Sequence, residues 1–214
     1  MQPKIWCIAL VCVSLSQPAI AENIFSTQYN SYISFDAGQS KAPGTCDFLF
    51  ASGSTCSEKG AVFRLGYGYQ FTPTWGTEIS YGDFGRASES GILPATPPGV
   101  PGSGPIPYTW DWSAIGWELA GTGTLHLGDS LFVTGKLGIL RANTGSEIIV
   151  TTSTNEIWHA VTHDVSNNIS KGISIRYDFN RDFALRLQYT DYGELGEVSK
   201  IKTSAINLGL LLKF

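Results

Sequence analysis

Apolar and polar residues alternate along most of the chain with a period of two. The last stretch, INLGLLLKF, is the clearest case, because one face would carry Ile206, Leu208, Leu210, Leu212 and Phe214. Side chains of a β-strand point alternately to opposite faces, so this pattern predicts a strand whose faces meet different surroundings. Leu210 and Leu211 should point in opposite directions. Seven earlier stretches alternate in the same way, at Ile33–Ala37, Phe63–Phe71, Trp75–Tyr81, Ile115–Leu125, Leu131–Ile139, Ile169–Phe179 and Phe183–Tyr189.

The connections between these predicted strands alternate between short and long. Three have the composition of tight turns: Thr72–Thr74, Gly128–Ser130 and Asn180–Asp182. Four are long and polar, and we expect them to be loops: Gln39–Gly60, Gly85–Thr109, Asn143–Asn167 and Gly193–Lys200. Short turns on one rim and long loops on the other predict an all-β fold, an eight-stranded antiparallel up-and-down β-barrel. Both chain ends then lie on the short-turn rim.

Two segments of the chain echo each other. GYQFTPTWGTEISYGDFG (68–85) and RYDFNRDFALRLQYTDYG (176–193) align without a gap, and each ends on Asp, an aromatic residue and Gly. Each segment is predicted to be one hairpin, so Glu78 and Arg186 occupy equivalent sites in the two hairpins.

The start of the chain has the features of a secretory leader. Lys4 precedes an apolar stretch of 11 residues, Ile5 to Leu15, and Ala19-Ile20-Ala21 follows. We expect cleavage after Ala21, which leaves residues 22–214 as one barrel domain. The full chain has 14 Lys and Arg against 18 Asp and Glu; the leader removes only Lys4, so 13 against 18 gives a net charge of −5. Such a balance does not favour a nucleic-acid partner.

Two cysteines remain after the leader, Cys46 and Cys56. An even pair in an exported protein, flanking a polar stretch, predicts a disulfide in the first long loop. A zinc site needs four ligands, and no histidine lies near in sequence, so no metal is expected there.

Alternation alone does not say whether the apolar face points outward to lipid or inward to the lumen, because a soluble binding barrel also has two unlike faces. Three features favour a membrane barrel. Glycines and charges share one face, as in a narrow polar lumen, and the chain ends in an alternating strand closed by Phe214. Aromatic residues cluster near the strand ends, which resembles two interfacial girdles. They are Tyr69, Phe71, Trp75, Phe179 and Phe183 near the turns, and Tyr81, Phe84, Trp110, Trp112, Tyr189 and Tyr192 near the loops.

Three stretches, WGTEISYGDFG, LHLGDSLFVTGKLGI and YDFNRDFALRLQYTDYG, resemble the outer-membrane protein A-like transmembrane barrel family. The resemblance covers roughly the whole chain after the leader. It implies a small barrel-only member, without the peptidoglycan-binding domain that many members carry. The terminal strand, with Leu210, Leu212 and Phe214, resembles the signal read by the bacterial outer-membrane assembly machinery.

The face opposite the apolar one carries eight charged residues, which we expect to form a lumen ion-pair network. They are Asp36, Arg64, Glu78, Glu118, Lys136, Arg176, Asp178 and Arg186. Buried charges must be paired, and an eight-stranded barrel is only wide enough for its own side chains, so a structural plug is favoured over a gate. In the family a glutamate on the third strand meets a basic residue on the seventh; Glu78 and Arg186 match them. Arg176 is the alternative partner of Glu78, and Glu118 is expected to pair with Lys136 or Arg64.

An enzyme is the least favoured reading. Small outer-membrane barrels include lipid-modifying enzymes, but His126 and Ser130 flank a predicted turn on the wrong rim. His159, His163 and Asp164 fall in a predicted loop. We find no combination of a nucleophile, a general base and a residue that orients the base. We therefore expect no catalytic residue, cofactor or metal.

The favoured function is an integral bacterial outer-membrane barrel, structural or surface-interacting through long extracellular loops, with both termini periplasmic. The alternative is a small gated pore for ions or small solutes. Expected partners are outer-membrane lipids and lipopolysaccharide, the outer-membrane assembly machinery and surface ligands of a host, and no nucleic acid.

Overall fold

The computed structural model of the chain describes residues 30–48, 54–93, 106–151, 157–196 and 200–214. The expected leader, residues 1–21, lies outside the described residues. No helix within the described ranges is long and apolar enough to cross a membrane.

Nine strands and one short 3-10 helix, Thr45–Phe48, make up the described fold. The strands are β1 (Ser31–Lys41), β2 (Thr55–Ser57), β3 (Lys59–Gln70), β4 (Trp75–Leu93), β5 (Ile106–His126), β6 (Leu131–Thr151), β7 (Ile157–Asp178), β8 (Phe183–Leu195) and β9 (Ile201–Lys213). Each of the eight predicted strands overlaps one of these strands, and the short β2 is additional.

The strands form one closed antiparallel sheet. Its order is β2-β4-β3-β1-β9-β8-β7-β6-β5, and β5 pairs back with β4 to close the ring. β2 pairs with β4 on the long-loop side of the β3–β4 ladder, and only Glu58 separates it from β3. β2 and β3 therefore occupy the same place in the ring and count as one strand of the barrel. The ring therefore has eight positions, and the predicted up-and-down barrel is confirmed.

The short turns are confirmed, and the long loops are shorter than predicted. The three turns each span the four residues between consecutive strands, for example Phe71 to Thr74. By contrast β4, β5, β6 and β7 have 19, 21, 21 and 22 residues and continue deep into the segments 85–109 and 143–167 that were expected to be loops. Both segments are polar; 143–167 also contains many Thr, Ile and Val residues, which favour strands, whereas 85–109 is rich in Pro, Gly and Ser. Strand pairing with a long neighbour outweighs the polar composition.

The outer surface of the ring is apolar and the interior is mixed. Leu210 is 41% exposed and Leu211 is 1% exposed, so the predicted parity of the last strand is correct. Phe35, Leu65, Ile79, Trp117, Ile139, Ile173, Leu187 and Leu208 are similarly exposed on the outside. A band of exposed aliphatic and aromatic side chains around a closed ring is the surface that faces lipid in a membrane barrel.

Two β-bulges interrupt the regular alternation. The β4–β5 register shifts between Asp83 and Gly85, and the β8–β9 register shifts between Asp191 and Gly193. The extra residues are Phe84 and Tyr192, which are the aromatic residues of the two echoing motifs. A bulge adds one residue and so reverses which side chains point inward. The repeated Asp-aromatic-Gly motif is thus the sequence of a bulge at equivalent sites in two hairpins.

Part of the predicted aromatic girdle is wrong, because Phe84, Trp112 and Tyr192 have the same parity as the lumen-facing residues of their strands. The five aromatics near the turns are exposed, as are Tyr81 and Tyr189 near the loops. Phe84, Trp112 and Tyr192 instead point into the barrel and are buried, and Trp110 is partly buried against them.

Candidate functional site in the barrel lumen

Six charged side chains form a continuous chain of ion pairs across the lumen. Arg186 connects two acids: its Nη1 lies 2.5 Å from Glu78 Oε2 and its Nη2 lies 2.9 Å from Asp36 Oδ2. Asp36 Oδ2 also lies 3.2 Å from Arg64 Nη2, and Arg64 Nη1 lies 3.0 Å from Glu118 Oε2. The order Glu78–Arg186–Asp36–Arg64–Glu118 alternates in sign.

Lys136 ends this chain of charges. Its Nζ lies 2.7 Å from Glu118 Oε2, so Glu118 binds both Lys136 and Arg64. Sequence reasoning left these two partners as alternatives, and the structure has both. Three acids and three bases sum to zero, and each of the six side chains is at least nine-tenths buried. Burial of such charges is tolerable only because every one of them has an opposite neighbour.

The Glu78 and Arg186 pairing follows from barrel geometry. These residues lie on β4 and β8, four positions apart in the ring, and therefore on opposite walls. Arg186 faces Gly209 on one neighbouring strand, and Gly209 leaves room for Asp36, whose Oδ1 occupies the place of a β-carbon at that position. A glycine beside the network is what lets three long side chains meet in so narrow a lumen.

Neutral side chains missing from the sequence prediction complete the network. Tyr32 Oη donates to Glu78 Oε2 at 2.8 Å, and Arg64 donates to Gln188 Oε1 at 3.2 Å and to Tyr192 Oη at 3.3 Å. Arg186 Nη2 also donates to Ser34 Oγ at 3.1 Å. Their inward parity was visible in the alternation, but their donors and acceptors became relevant only once the strands were placed in a ring.

Arg176 and Asp178 lie apart from the central chain of charges. Arg176 faces Arg186 across its hairpin, but its Nε lies 3.0 Å from Asp178 Oδ1 and its guanidinium stacks 4.3 Å above the Phe132 ring. Asp178 Oδ2 also lies 2.7 Å from Lys213 Nζ at the short-turn rim. Arg176 therefore satisfies its charge locally and is not the partner of Glu78.

A separate apolar cluster fills the lumen on the long-loop side of the charges. Its largest members are Phe84, Trp112, Leu140, Tyr192 and Leu195. The two bulge residues, Phe84 and Tyr192, meet edge to face with ring centroids 5.1 Å apart. Tyr192 also accepts the hydrogen bond from Arg64, so it joins the apolar cluster to the ionic one.

The lumen leaves little free space next to the charges. Two cavities border the network, each about 10 Å³, and Arg186 lines both. A volume of this size holds about one water molecule. Neither cavity is wide enough for a hydrated ion.

The long-loop rim carries a disulfide and a protruding wall. Cys46 of the 3-10 helix is bonded to Cys56 of β2, in agreement with the predicted disulfide. Above the ring, β4 to β7 continue as a four-stranded sheet. Among the described strands, β8 pairs with β7 only over Lys171–Asp178, so residues 157–170 of β7 have a ladder on the β6 side alone.

The histidines considered for chemistry are distributed over both rims. His126 ends β5 and packs edge to face on Phe132 at the short-turn rim. His159 and His163 lie on strand β7 and not in a loop, and His159 Nδ1 is 3.4 Å from Glu147 Oε1. In the described part of the chain no three His, Cys, Asp or Glu side chains are grouped to hold a metal ion.

Several solved structures of known proteins are similar to this chain. The outer-membrane protein OprG from Pseudomonas aeruginosa is 12% identical and superposes with a TM-score of 0.51, covering 87% of this chain and 96% of its own. Ail, the attachment invasion locus protein of Yersinia pestis, is 15% identical with a TM-score of 0.47, covering 86% and 97%. Neisserial surface protein A is 15% identical with a TM-score of 0.43, also covering 86% and 97%. No curated relative matches the chain by sequence.

At this identity the similarity to OprG shows a common fold and nothing more. The family described as OmpA-like transmembrane domain matches residues 27–214, which includes every described strand and both echoing hairpins. The chain therefore belongs to the OmpA-like transmembrane domain family and is a β-barrel of the bacterial outer membrane.

Proposed function

We propose that this protein acts by contact at the cell surface, through the wall formed by β4 to β7, and that its barrel is a closed anchor. Strands of 9–11 residues are enough to cross a membrane. β4 to β7 exceed this by about ten residues, which at the usual rise and tilt places their ends about 25 Å above the lipid. No such height is needed for anchoring.

The orientation follows from general properties of these barrels. Bacterial outer-membrane barrels have short periplasmic turns and longer extracellular segments. The four-residue turns share one rim with Ser31, where β1 begins, and with Phe214, and the disulfide and the wall share the other rim. We infer that the wall faces the cell exterior and that the termini are periplasmic.

The observation that carries the proposal is the open edge of β7. An edge strand presents unpaired backbone N–H and C=O groups, and proteins usually blunt such edges with Lys or Pro. Residues 157–170 contain no Lys, Arg or Pro. They also expose Ile157, Trp158 and Val161. An extended segment of another protein can add to this edge as a further strand.

The charge of the upper wall indicates which class of partner can bind to it. The upper wall comprises residues 88–93, 106–113, 144–151 and 157–164, and it holds four acids and no Lys or Arg. The acids are Glu89, Asp111, Glu147 and Asp164. A proline-free extended segment with Lys or Arg side chains is therefore the best match.

A pair of lysine substitutions tests the edge. Val161→Lys places a charge on the open strand, whereas Ile149→Lys places one on the same outer face of β6, which has a neighbour on each side. Cells displaying each variant at equal surface density would be compared for retention on cultured epithelial monolayers. Retention lost with V161K and kept with I149K supports the edge. Equal retention of both variants and the parent would refute it.

Planar-bilayer recording tests whether the anchor is closed. The neutral ion chain and the apolar cluster fill the lumen in series, so we expect the refolded protein to show no regular channel openings. Reproducible unitary conductance in the parent protein would favour the alternative function, a small gated pore.

A further inference from the structure

Three lysines form a cluster on the outer surface of the barrel, on adjacent strands. Lys41 of β1 is directly opposite Lys59 of β3. Lys41 is also opposite Ser204 of β9, and Lys202 lies two residues beyond Ser204 on the same face. Directly opposed side chains have β-carbons about 4.5–5.5 Å apart, and diagonal ones about 7–8 Å. The three ammonium groups can therefore reach one ligand together.

This arrangement is unfavourable without an anion. Like charges directly opposite each other in an antiparallel ladder are destabilising. Within the described ranges, none of the three lysines has an acidic group within ion-pair distance. Glu58 accepts a hydrogen bond from the backbone of Gly44, and Glu194 is opposite Lys202 in the ladder without contacting it. Even if Glu194 is counted, the cluster has a net charge of +2.

Two other outward-facing basic residues on this side of the barrel have acidic partners. Lys171 Nζ lies 4.0 Å from Asp191 Oδ2, and Arg86 Nη2 lies 3.0 Å from Asp83 Oδ2. Arg141 of β6 is also exposed and forms no ion pair within the described ranges, but its cross-strand neighbours, Trp117 and Asn167, are uncharged, so it is not part of a cluster of like charges. The lysine cluster also lies on the opposite side of the ring from the acidic wall.

An apolar surface lies directly below the lysine cluster on the same three strands. Phe35 on β1, Phe63 on β3, and Ile206 and Leu208 on β9 are all exposed on the outer face. Going toward the long-loop rim, this apolar band passes through small residues, Ala61 and Ser204, to the lysines. The surface is therefore complementary to a molecule with hydrocarbon chains and an anionic head group at their end.

We propose that Lys41, Lys59 and Lys202 bind the phosphate groups of a phosphorylated glycolipid of the outer leaflet, with its acyl chains on the apolar band below. A phosphate monoester carries a charge of about −1.5 to −2, which matches the net charge of the cluster. Lysine binds phosphate as a point charge, so a cluster of flexible lysines can accommodate it without a rigid fork. The proposal shares the orientation inferred above but does not depend on contact with another cell.

The test compares the parent with the triple variant K41Q/K59Q/K202Q. Both would be refolded into phosphatidylcholine vesicles, into vesicles that also contain about one tenth phosphorylated lipid A, and into vesicles with the same lipid lacking its phosphates. The readouts are the thermal midpoint, from heat-shifted gel mobility, and the lipid retained in native mass spectrometry. K171Q is the matched control, because Lys171 is already paired.

We expect phosphorylated lipid A to raise the midpoint of the parent and of K171Q, but not that of the triple variant. Retention of the phosphorylated lipid should be roughly tenfold or more weaker in the triple variant. Because all three lysines are exposed, the triple variant should fold normally in phosphatidylcholine, and this arm verifies it. Equal retention by the parent and the triple variant would overturn the proposal. A parent that responds equally to inorganic phosphate would show a site for soluble anions, which would also overturn it.

Discussion

The lumen contains two layers that are built by opposite rules. The ionic layer consists of Glu78, Arg186, Asp36, Arg64, Glu118 and Lys136, all of which lie on stretches with regular alternation, Glu78 and Arg186 being on the turn side of the two bulges. The apolar layer consists of Phe84, Tyr192, Trp112 and their neighbours, and it begins where two bulges interrupt that alternation. One layer fills the lumen with paired charges and the other fills it with apolar side chains.

The difference shows why the lumen needs both layers. An ionic layer alone can exchange partners and admit water, because its side chains are long and their hydrogen bonds are replaceable. An apolar constriction resists water by dewetting. Tyr192 belongs to both, since its ring packs on Phe84 and its hydroxyl accepts from Arg64. The two layers should therefore fail in different ways when they are altered.

The largest expected effect comes from the ionic layer. Glu78→Gln leaves Arg186 with Asp36 as its remaining acidic partner, and one positive charge in the buried chain becomes uncompensated. We expect a loss of about 3–5 kcal/mol in the free energy of unfolding, measured by urea titration of the refolded protein. The double variant E78Q/R186Q should recover much of that loss, so the double-mutant cycle should show clear coupling.

The control for this cycle is Lys171→Gln, which removes an exposed ion pair. It should change the unfolding free energy by no more than about 1 kcal/mol. Additive effects of E78Q and R186Q, with no coupling, would mean that the 2.5 Å contact contributes nothing specific.

The apolar layer should respond less strongly. Phe84 is fully buried, and Phe84→Ala removes its packing on Tyr192. We expect a loss of about 3 kcal/mol, at the low end for a buried Phe, because water can enter a cavity near the rim. Both E78Q and F84A should still lack conductance in planar bilayers, since each leaves the other layer intact. Channel openings in F84A alone would show that the ionic layer by itself does not block the passage of ions through the lumen.

The bulge itself can be tested at Gly85. A β-carbon at this position would lie 2.6 Å from Thr203 Cγ2 and 2.9 Å from Trp112 Cζ3, so Gly85→Ala overpacks the apolar layer. We expect a loss of about 1–3 kcal/mol. Gly121→Ala is the matched control, because only Leu137 O lies near its β-carbon position, at 3.9 Å. If the two alanine variants are equally stable, the packing around the bulge is looser than the structure indicates.

The smallest expected effect is at the junction of the layers. Tyr192→Phe keeps the ring on Phe84 and removes the acceptor for Arg64, which retains Asp36, Glu118 and Gln188. A loss of about 1 kcal/mol is expected, smaller than for F84A. A loss of unfolding free energy as large as that of F84A would mean that the Tyr192 hydroxyl contributes as much to stability as the packing of a whole aromatic ring.

The sequence by itself determined the strands, their order and the charges of the lumen. Period-two alternation is a local property of each strand, and the tight turns leave no choice in how neighbouring strands pair. Glu78 and Arg186 could be matched from sequence because the two hairpins repeat, and equivalent sites four strands apart face each other. The disulfide could also be predicted, because only two cysteines lie beyond the expected leader.

Only the tertiary structure decided where the alternation reverses and how far the strands continue. Phe84 and Tyr192 already have the inward parity of Glu78 and Arg186 on their strands, and the ring brings the two aromatic side chains into edge-to-face contact. The motif Asp-aromatic-Gly was visible, but only the cross-strand register shows that it forms a bulge, beyond which Ala87 and Glu89 point inward. The long strands of the wall likewise depend on their neighbours, since residues 143–151 and 157–165 pair with each other although their polar composition predicted a loop. The alternative partners left open for Glu118 were decided by distance in the folded ring, where one carboxylate oxygen reaches both bases.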